Sequence, residues 1–199
     1  MSFGIDKDHP EMEEAILAAY GKGIIMFAAA SNKGHNHPVP FPARSSNVLC
    51  IYATDGKGNN YDCNPKCLKK SGYHFATLGV AVKSAWIENP DQHLEESEES
   101  ASRRMSGTSF ATPIVAGIAA YILDFARMHG LDDASYRKLR SREGMEELLG
   151  KWFVDEVGEL DYVYPWKLFE DHRKEELILQ LIKDTFAGSI GEPRTPEIV

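Results

Sequence analysis

The sequence predicts an α/β fold, a parallel sheet flanked by helices and followed by a C-terminal helical extension, on three observations. Ile24 to Ala30 is an unbroken apolar run without alternation, the mark of a strand covered on both faces of a parallel sheet. Ahead of it, Met12, Ala15, Ile16, Ala19 and Tyr20 keep one apolar face at helical spacing. Further on, a turn of small residues (Ser106, Gly107, Thr108) leads into a nearly continuous apolar helix.

The first helix has its own start and stop signals. Pro10 suits the first helical position, Glu11, Glu13 and Glu14 suit its positive end, and Gly21 and Gly23 end it. The buried strand that follows stops at Ser31-Asn32-Lys33-Gly34. Pro38 to Pro42 is a Pro-rich loop, Val48 to Ala53 a second buried strand, and Thr54 to Gly58 its closing turn. Asn59 to Gly72 is polar and reads as a surface excursion, and Phe75 to Trp86 supplies a further strand region. Glu88 to Arg104 is acidic, with Glu95, Glu96, Glu98 and Glu99 around Ser97. It reads as a solvated charge run, with repulsion of acidic substrates as the sharper alternative.

The apolar helix is expected to run to about Met128 and to end at His129-Gly130. Its small residues, Ala111, Ala116, Gly117, Ala119 and Ala120, let strands approach closely. Two more helical stretches, Asp132 to Gly150 and Asp171 to Ala187, flank an aromatic segment read as packing. The tail from Gly188, with Pro193 and Pro196, is expected to be disordered.

Composition narrows the function classes. A chain of 199 residues with 43% hydrophobic content can bury one substantial core. The net charge of −8 argues against nucleic-acid binding through a basic face. No apolar run reads as a membrane span and no signal-like stretch opens the chain, so an intracellular location is expected. Cys50, Cys63 and Cys67 are read as reduced thiols without a metal role. His35 and His37 lack Asp, Glu or Cys at ligand spacing, so no metal and no cofactor is expected.

Two stretches carry candidate chemistry. Ser109 stands at the N-terminus of the apolar helix, where unpaired N–H groups and the helix dipole favour negative charge. Pro113 has no N–H for the carbonyl of Ser109, so the first turn is expected to deviate there. The plain reading is that Thr108 or Ser109 caps a core helix. Asn32 lies beyond the carboxyl end of a strand, where open parallel sheets bind ligands, and its amide could donate to an oxyanion. By itself an Asn before Lys-Gly is more often a turn residue.

The full strings S-G-T-S-F-A-T-P-I-V-A-G (Ser106 to Gly117) and A-A-A-S-N-K-G (Ala28 to Gly34) resemble the nucleophile and oxyanion segments of the subtilisin-like serine proteases, the subtilases. The resemblance covers about residues 1–127, the C-terminal half of such a catalytic domain. It implies a subtilisin-like sheet incomplete at the N-terminus, and a serine-type endopeptidase acting on protein or peptide substrates. It further implies Ser109 as nucleophile and Asn32 as oxyanion donor. Ser2, Phe3, Gly4, Ala29, Ala30, Ser31, Gly107 and Thr108 match the substrate-binding positions. Residues 1–130 then form the half-domain, 131–187 a helical extension and 188–199 the tail.

Three departures from the family pattern stand out. Ser31 occupies a position where relatives commonly carry Gly, which implies a smaller preferred side chain at that subsite. Leu78 replaces a usual Pro in Thr77-Leu78-Gly79-Val80. Neither the family's H-G-T-H motif nor its D-T/S-G motif occurs, so the Asp and His that complete the triad are absent. Partners implied are therefore a substrate and an N-terminal half or fused domains outside this chain. The alternative is a non-catalytic remnant or interaction module that keeps the half-fold.

Overall fold

The computed structural model describes residues 1–7, 9–67, 72–86, 102–167, 169 and 174–187. Helix α1 (Pro10–Gly21) starts at Pro10 with Glu11 and Glu13 in its first turn, and Ile16 is its buried contact. Strands β1 (Phe27–Ala29), β2 (Leu49–Thr54) and β3 (Phe75–Leu78) run parallel. Strand β7 (Leu160–Val163) joins β3 in parallel, and β6 (Val154–Val157) pairs antiparallel with β7, giving the order β1-β2-β3-β7-β6. Strands β4 (Val82–Ala85) and β5 (Ser102–Met105) form a separate antiparallel ribbon.

This is the α/β architecture with helices flanking a mostly parallel sheet. The first strand is shorter than its apolar run suggested: only Phe27–Ala29 is regular. Its place explains why. β1 is the edge of the sheet, and Ile24 is 51% exposed. On the side of β1 away from β2, among the described residues, Met1 runs beside it, its amine donating to Phe27 O at 2.5 Å and its carbonyl accepting from Ala29 N at 3.0 Å.

Helix α2 (Thr108–Met128) lies across β1, β2 and β3. It is long and apolar enough to cross a bilayer. Here it serves as the central core helix, since Ala111, Val115, Ile122 and Ala126 are wholly buried against the sheet. Burying each large aliphatic side chain contributes about 1.5–3 kcal/mol, so this stripe fixes where the start of α2 sits.

The segments after Gly130 pack into that same core. Helices α3 (Asp133–Leu139) and α4 (Arg142–Trp152) are capped by Asp132 and Ser141, which accept from Ser135 N at 2.9 Å and Gly144 N at 3.0 Å. With α5 (Glu175–Ala187) they bring Met145, Leu148, Leu149, Ile178, Ile182 and Phe186 into the cluster that holds α2. The aromatic stretch between the helical segments is not merely packing: it includes the β6–β7 hairpin that extends the sheet.

One expectation needs correction. The polar segment 59–72 is not simply a surface excursion, because Asn64 is 1% exposed and Cys67 is buried. The Asn64 carboxamide imitates a neighbouring backbone, accepting from Ala53 N at 3.0 Å and donating to Ala53 O at 2.7 Å. A polar side chain satisfied this fully is buried at little cost. The cluster Glu95 to Glu99 and the tail from Gly188 lie outside the described residues.

Cys50, Cys63 and Cys67 are free thiols. Burial pushes the Cys50 thiol up to about 12, and burial likewise raises the neighbouring Tyr52 hydroxyl. The native state therefore holds the Cys50 proton through a range in which the unfolded chain has released it. Stability contributed by this group is intact below pH about 9, where an ordinary thiol ionises, and is lost as pH rises from there towards 12. Urea unfolding at pH 8 and pH 10.5 should show a loss of stability at the higher pH that is smaller in Cys50→Ala.

Candidate active site

The end of β1 and the start of α2 meet because both elements are anchored in one core. β1 delivers Ala29, Ala30, Ser31 and Asn32; α2 begins with Thr108 and Ser109 behind Gly107. The join is a hydrogen bond from Thr108 N to Asn32 Oδ1 at 2.8 Å, with Thr108 Oγ1 on the same oxygen at 3.3 Å. Ser31 N donates to Thr108 Oγ1 at 3.4 Å. The Asn32 oxygen is thus committed to the helix turn, and Nδ2 is the donor end of the carboxamide.

Gly107 makes this approach possible. Its φ of 150° lies where side-chain-bearing residues rarely go, and a Cβ there would stand 2.9 Å from Asn32 Nδ2. Gly107 N donates to Gly79 O at 2.7 Å, and Ala81 N donates to Ser106 Oγ at 2.9 Å. These bonds tie the turn to the loop after β3. Thr112 Oγ1 donates to Thr108 O at 2.8 Å, covering another carbonyl of the first turn.

Pro113 has the consequence that its chemistry demands. It cannot bond the Ser109 carbonyl, and the hydroxyl of Ser2 does so instead at 3.1 Å. Ser109 Oγ donates in return to Ser2 O at 3.3 Å. A helix-breaking residue four positions on thus leaves open the acceptor by which Ser2 and Ser109 are paired. The Ser109 N–H is in the first turn of α2, among those groups that have no intrahelical acceptor.

A cavity of about 210 Å³ opens beside Ser109. Ser2, Phe3 and Gly4 line one side, and Ala29, Ser31 and Asn32 another. Thr108 and Ser109 also border it, and so do Lys33 and Pro40, which sequence reasoning did not single out. Ala30, also expected to bind substrate, is wholly buried and does not line the cavity. Ser31, at φ 131°, holds a conformation ordinarily left to Gly. Pro40 packs so tightly on Gly4 that a Cβ on Gly4 would fall 2.4 Å from Pro40 Cγ.

The other polar groups divide clearly. Ser109 Oγ faces a backbone carbonyl, which accepts a hydrogen bond but is no base. Among the five described histidines, His129 pairs with Glu175 at 3.0 Å, His74 stacks edgewise on Tyr52, His9 precedes α1, and His35 and His37 lie between β1 and β2, where the His37 charge acts on Asp6. No group of three or more His, Cys, Asp or Glu among the described residues could hold a metal ion.

A serine at the N-terminus of a buried helix, joined to a carboxamide beyond a parallel strand, marks an α/β protein with a polar site at the strand end. The Subtilase family model matches residues 1–142, and the chain belongs to that family. Similar proteins include subtilisin-like protease 2 of Pseudogymnoascus destructans, 33% identical over 112 residues, which are 56% of this chain and 25% of that one. Alkaline elastase YaB of Bacillus sp. (strain YaB) is 32% identical over 61% of this chain and 28% of its own length. Thermitase of Thermoactinomyces vulgaris is 30% identical over 64% and 40%. The chain thus spans a quarter to two-fifths of these relatives. In fold it resembles a mutant of the protease domain of PatA, with TM-score 0.65 and 20% identity over 92% of this chain and 58% of that one. The prenylagaramide maturation protease PagA gives 0.61 and 19% over 90% and 58%.

The close fit at the turn makes Gly107→Ala a direct probe of the join. It should lower stability by about 1–3 kcal/mol, the cost of a residue held at a sparsely populated φ, as read from urea unfolding. Wild-type stability in this variant would contradict the fit.

Proposed function

We propose that this chain supplies the nucleophile half of a subtilisin-like serine endopeptidase. Ser109 Oγ attacks the carbonyl carbon of a peptide bond, and its proton passes to a base, the part of the triad His, whose motif does not occur in this sequence. Asn32 Nδ2 and the Ser109 N–H stabilise the oxyanion, and collapse of the tetrahedral intermediate expels the amine. Ser2 to Gly4 lie along one side of the cavity, as a strand that pairs with an extended substrate would.

The observation that carries this reading is the Thr108 N–H bond to Asn32 Oδ1. It turns the carboxamide oxygen to the helix turn and so leaves Nδ2, on a residue that lines the cavity beside Ser109, as the donor end. Membership of the Subtilase family supports hydrolysis of peptide bonds as the reaction class.

A second reading has its own support. Ser109 Oγ bonds only the Ser2 carbonyl, and an apolar groove of about 370 Å³ borders β1 and α2 between Met26, Phe27 and Ala116. A chain that keeps the half-fold but binds other polypeptides without cleaving them would present such features.

The two readings separate in one assay. The 199 residues by themselves should be labelled by a fluorophosphonate probe hardly faster than Ser109→Ala and should not hydrolyse casein. Rapid labelling at Ser109, with casein hydrolysis lost in Ser109→Ala, would show that a base is present after all. Labelling and hydrolysis that arise only when a polypeptide carrying an Asp and a His is added would favour the endopeptidase half over the remnant.

A further inference from the structure

Among the described residues, Lys33 is the single charged one on the wall of the cavity beside Ser109. The other polar residues described there are Ser2, Ser31, Asn32, Thr108 and Ser109, none of them a carboxylate. At about 210 Å³, the space is below that of a drug-sized pocket and suits one amino-acid side chain.

The lysine is held ready rather than consumed. Its Nζ bonds both oxygens of Asp6, at 2.8 and 3.0 Å, but the two side chains are 54% and 76% exposed. A pair this open to water is easily exchanged for another carboxylate. Asp6 would not be left bare, because Arg44 reaches its carbonyl at 3.5 Å and the charges of His37 and Arg44 act on its carboxylate as well. The Asp6 carboxyl is held below its ordinary range, first by its hydrogen bond from Lys33 and then by the Lys33 charge.

From this arrangement we propose that the cavity selects a substrate residue bearing a carboxylate, Asp or Glu, on the acyl side of the scissile bond, with Lys33 exchanging Asp6 for it. This inference rests on the endopeptidase reading of the site. Ser31, a lining residue of the cavity, carries a hydroxyl where Gly would have none. Lys33 N donates to Ser31 Oγ at 3.2 Å, so the hydroxyl and the ammonium belong to one short loop. The chain's net charge of −8 opposes an anion at long range, so the selection acts at contact and not during approach.

The test uses the 199-residue chain and the acetylated, C-terminally amidated peptides Ala-Ala-Ala-X, with X as Glu, Gln, Phe or Lys. Affinities are read from NMR titration of the Ser2 to Gly4 and Ser109 amides. Glu should bind about two- to fivefold more tightly than Gln, the range that an exposed ion pair supports. Lys33→Met should remove the difference while keeping Gln binding, Lys33→Arg should restore it, and Lys33→Glu should favour Lys over Glu. Equal affinities for Glu and Gln at this site would overturn the inference and leave the endopeptidase reading standing. Failure of every peptide to shift the Ser2 to Gly4 amides would overturn the cavity as a substrate subsite, and both claims with it.

Discussion

The hydrogen bond from Thr108 N to Asn32 Oδ1 is the contact on which the site depends. It joins the end of an edge strand to the start of the central helix, and nothing in the chain's local sequence brings them together. What does so is packing. α2 is fixed by its wholly buried stripe against β1, β2 and β3, and β1 by its register with β2. A shift of either element by a fraction of an ångström would break a 2.8 Å bond while leaving the apolar contacts nearly unchanged, so the polar join reports on how well the core is seated.

Around that join the chain departs from regular structure at adjacent points, each with a physical reason. Gly107 accepts a φ that other residues avoid so that Asn32 can lie against the turn. Ser31 does the same with a side chain attached, and its hydroxyl faces the cavity loop. Pro113 removes an N–H, and the carbonyl so released binds Ser2. Backbone strain and rerouted hydrogen bonds gathered at one site are a usual mark of function.

Much of this was legible in the sequence, and the limits are instructive. The Ser109 turn, the α2 helix and Asn32 could be found because their signals are local: small residues before an apolar run, and a strand ending in Ser-Asn-Lys-Gly. Pro113 announced an unpaired carbonyl, but not that Ser2, more than a hundred residues earlier, would fill it. Lys33 and Pro40 escaped notice because their roles come from tertiary placement, against Asp6 and Gly4 respectively. The burial of Asn64 was missed for the same reason, since its partner is the backbone of Ala53 across a turn. β1 came out short because periodicity reports burial and not whether a neighbouring strand exists.

The central claim is that the Asn32 oxygen is held by the Thr108 amide, which fixes the carboxamide beside Ser109. The most direct measurement is the NMR scalar coupling transmitted across that hydrogen bond, between the Thr108 amide nitrogen and the Asn32 side-chain carbonyl carbon. The account predicts a resolved correlation, together with slow exchange of the Thr108 amide proton. A Thr108 amide that exchanges at the rate of an open loop, with no coupling to Asn32, would contradict it.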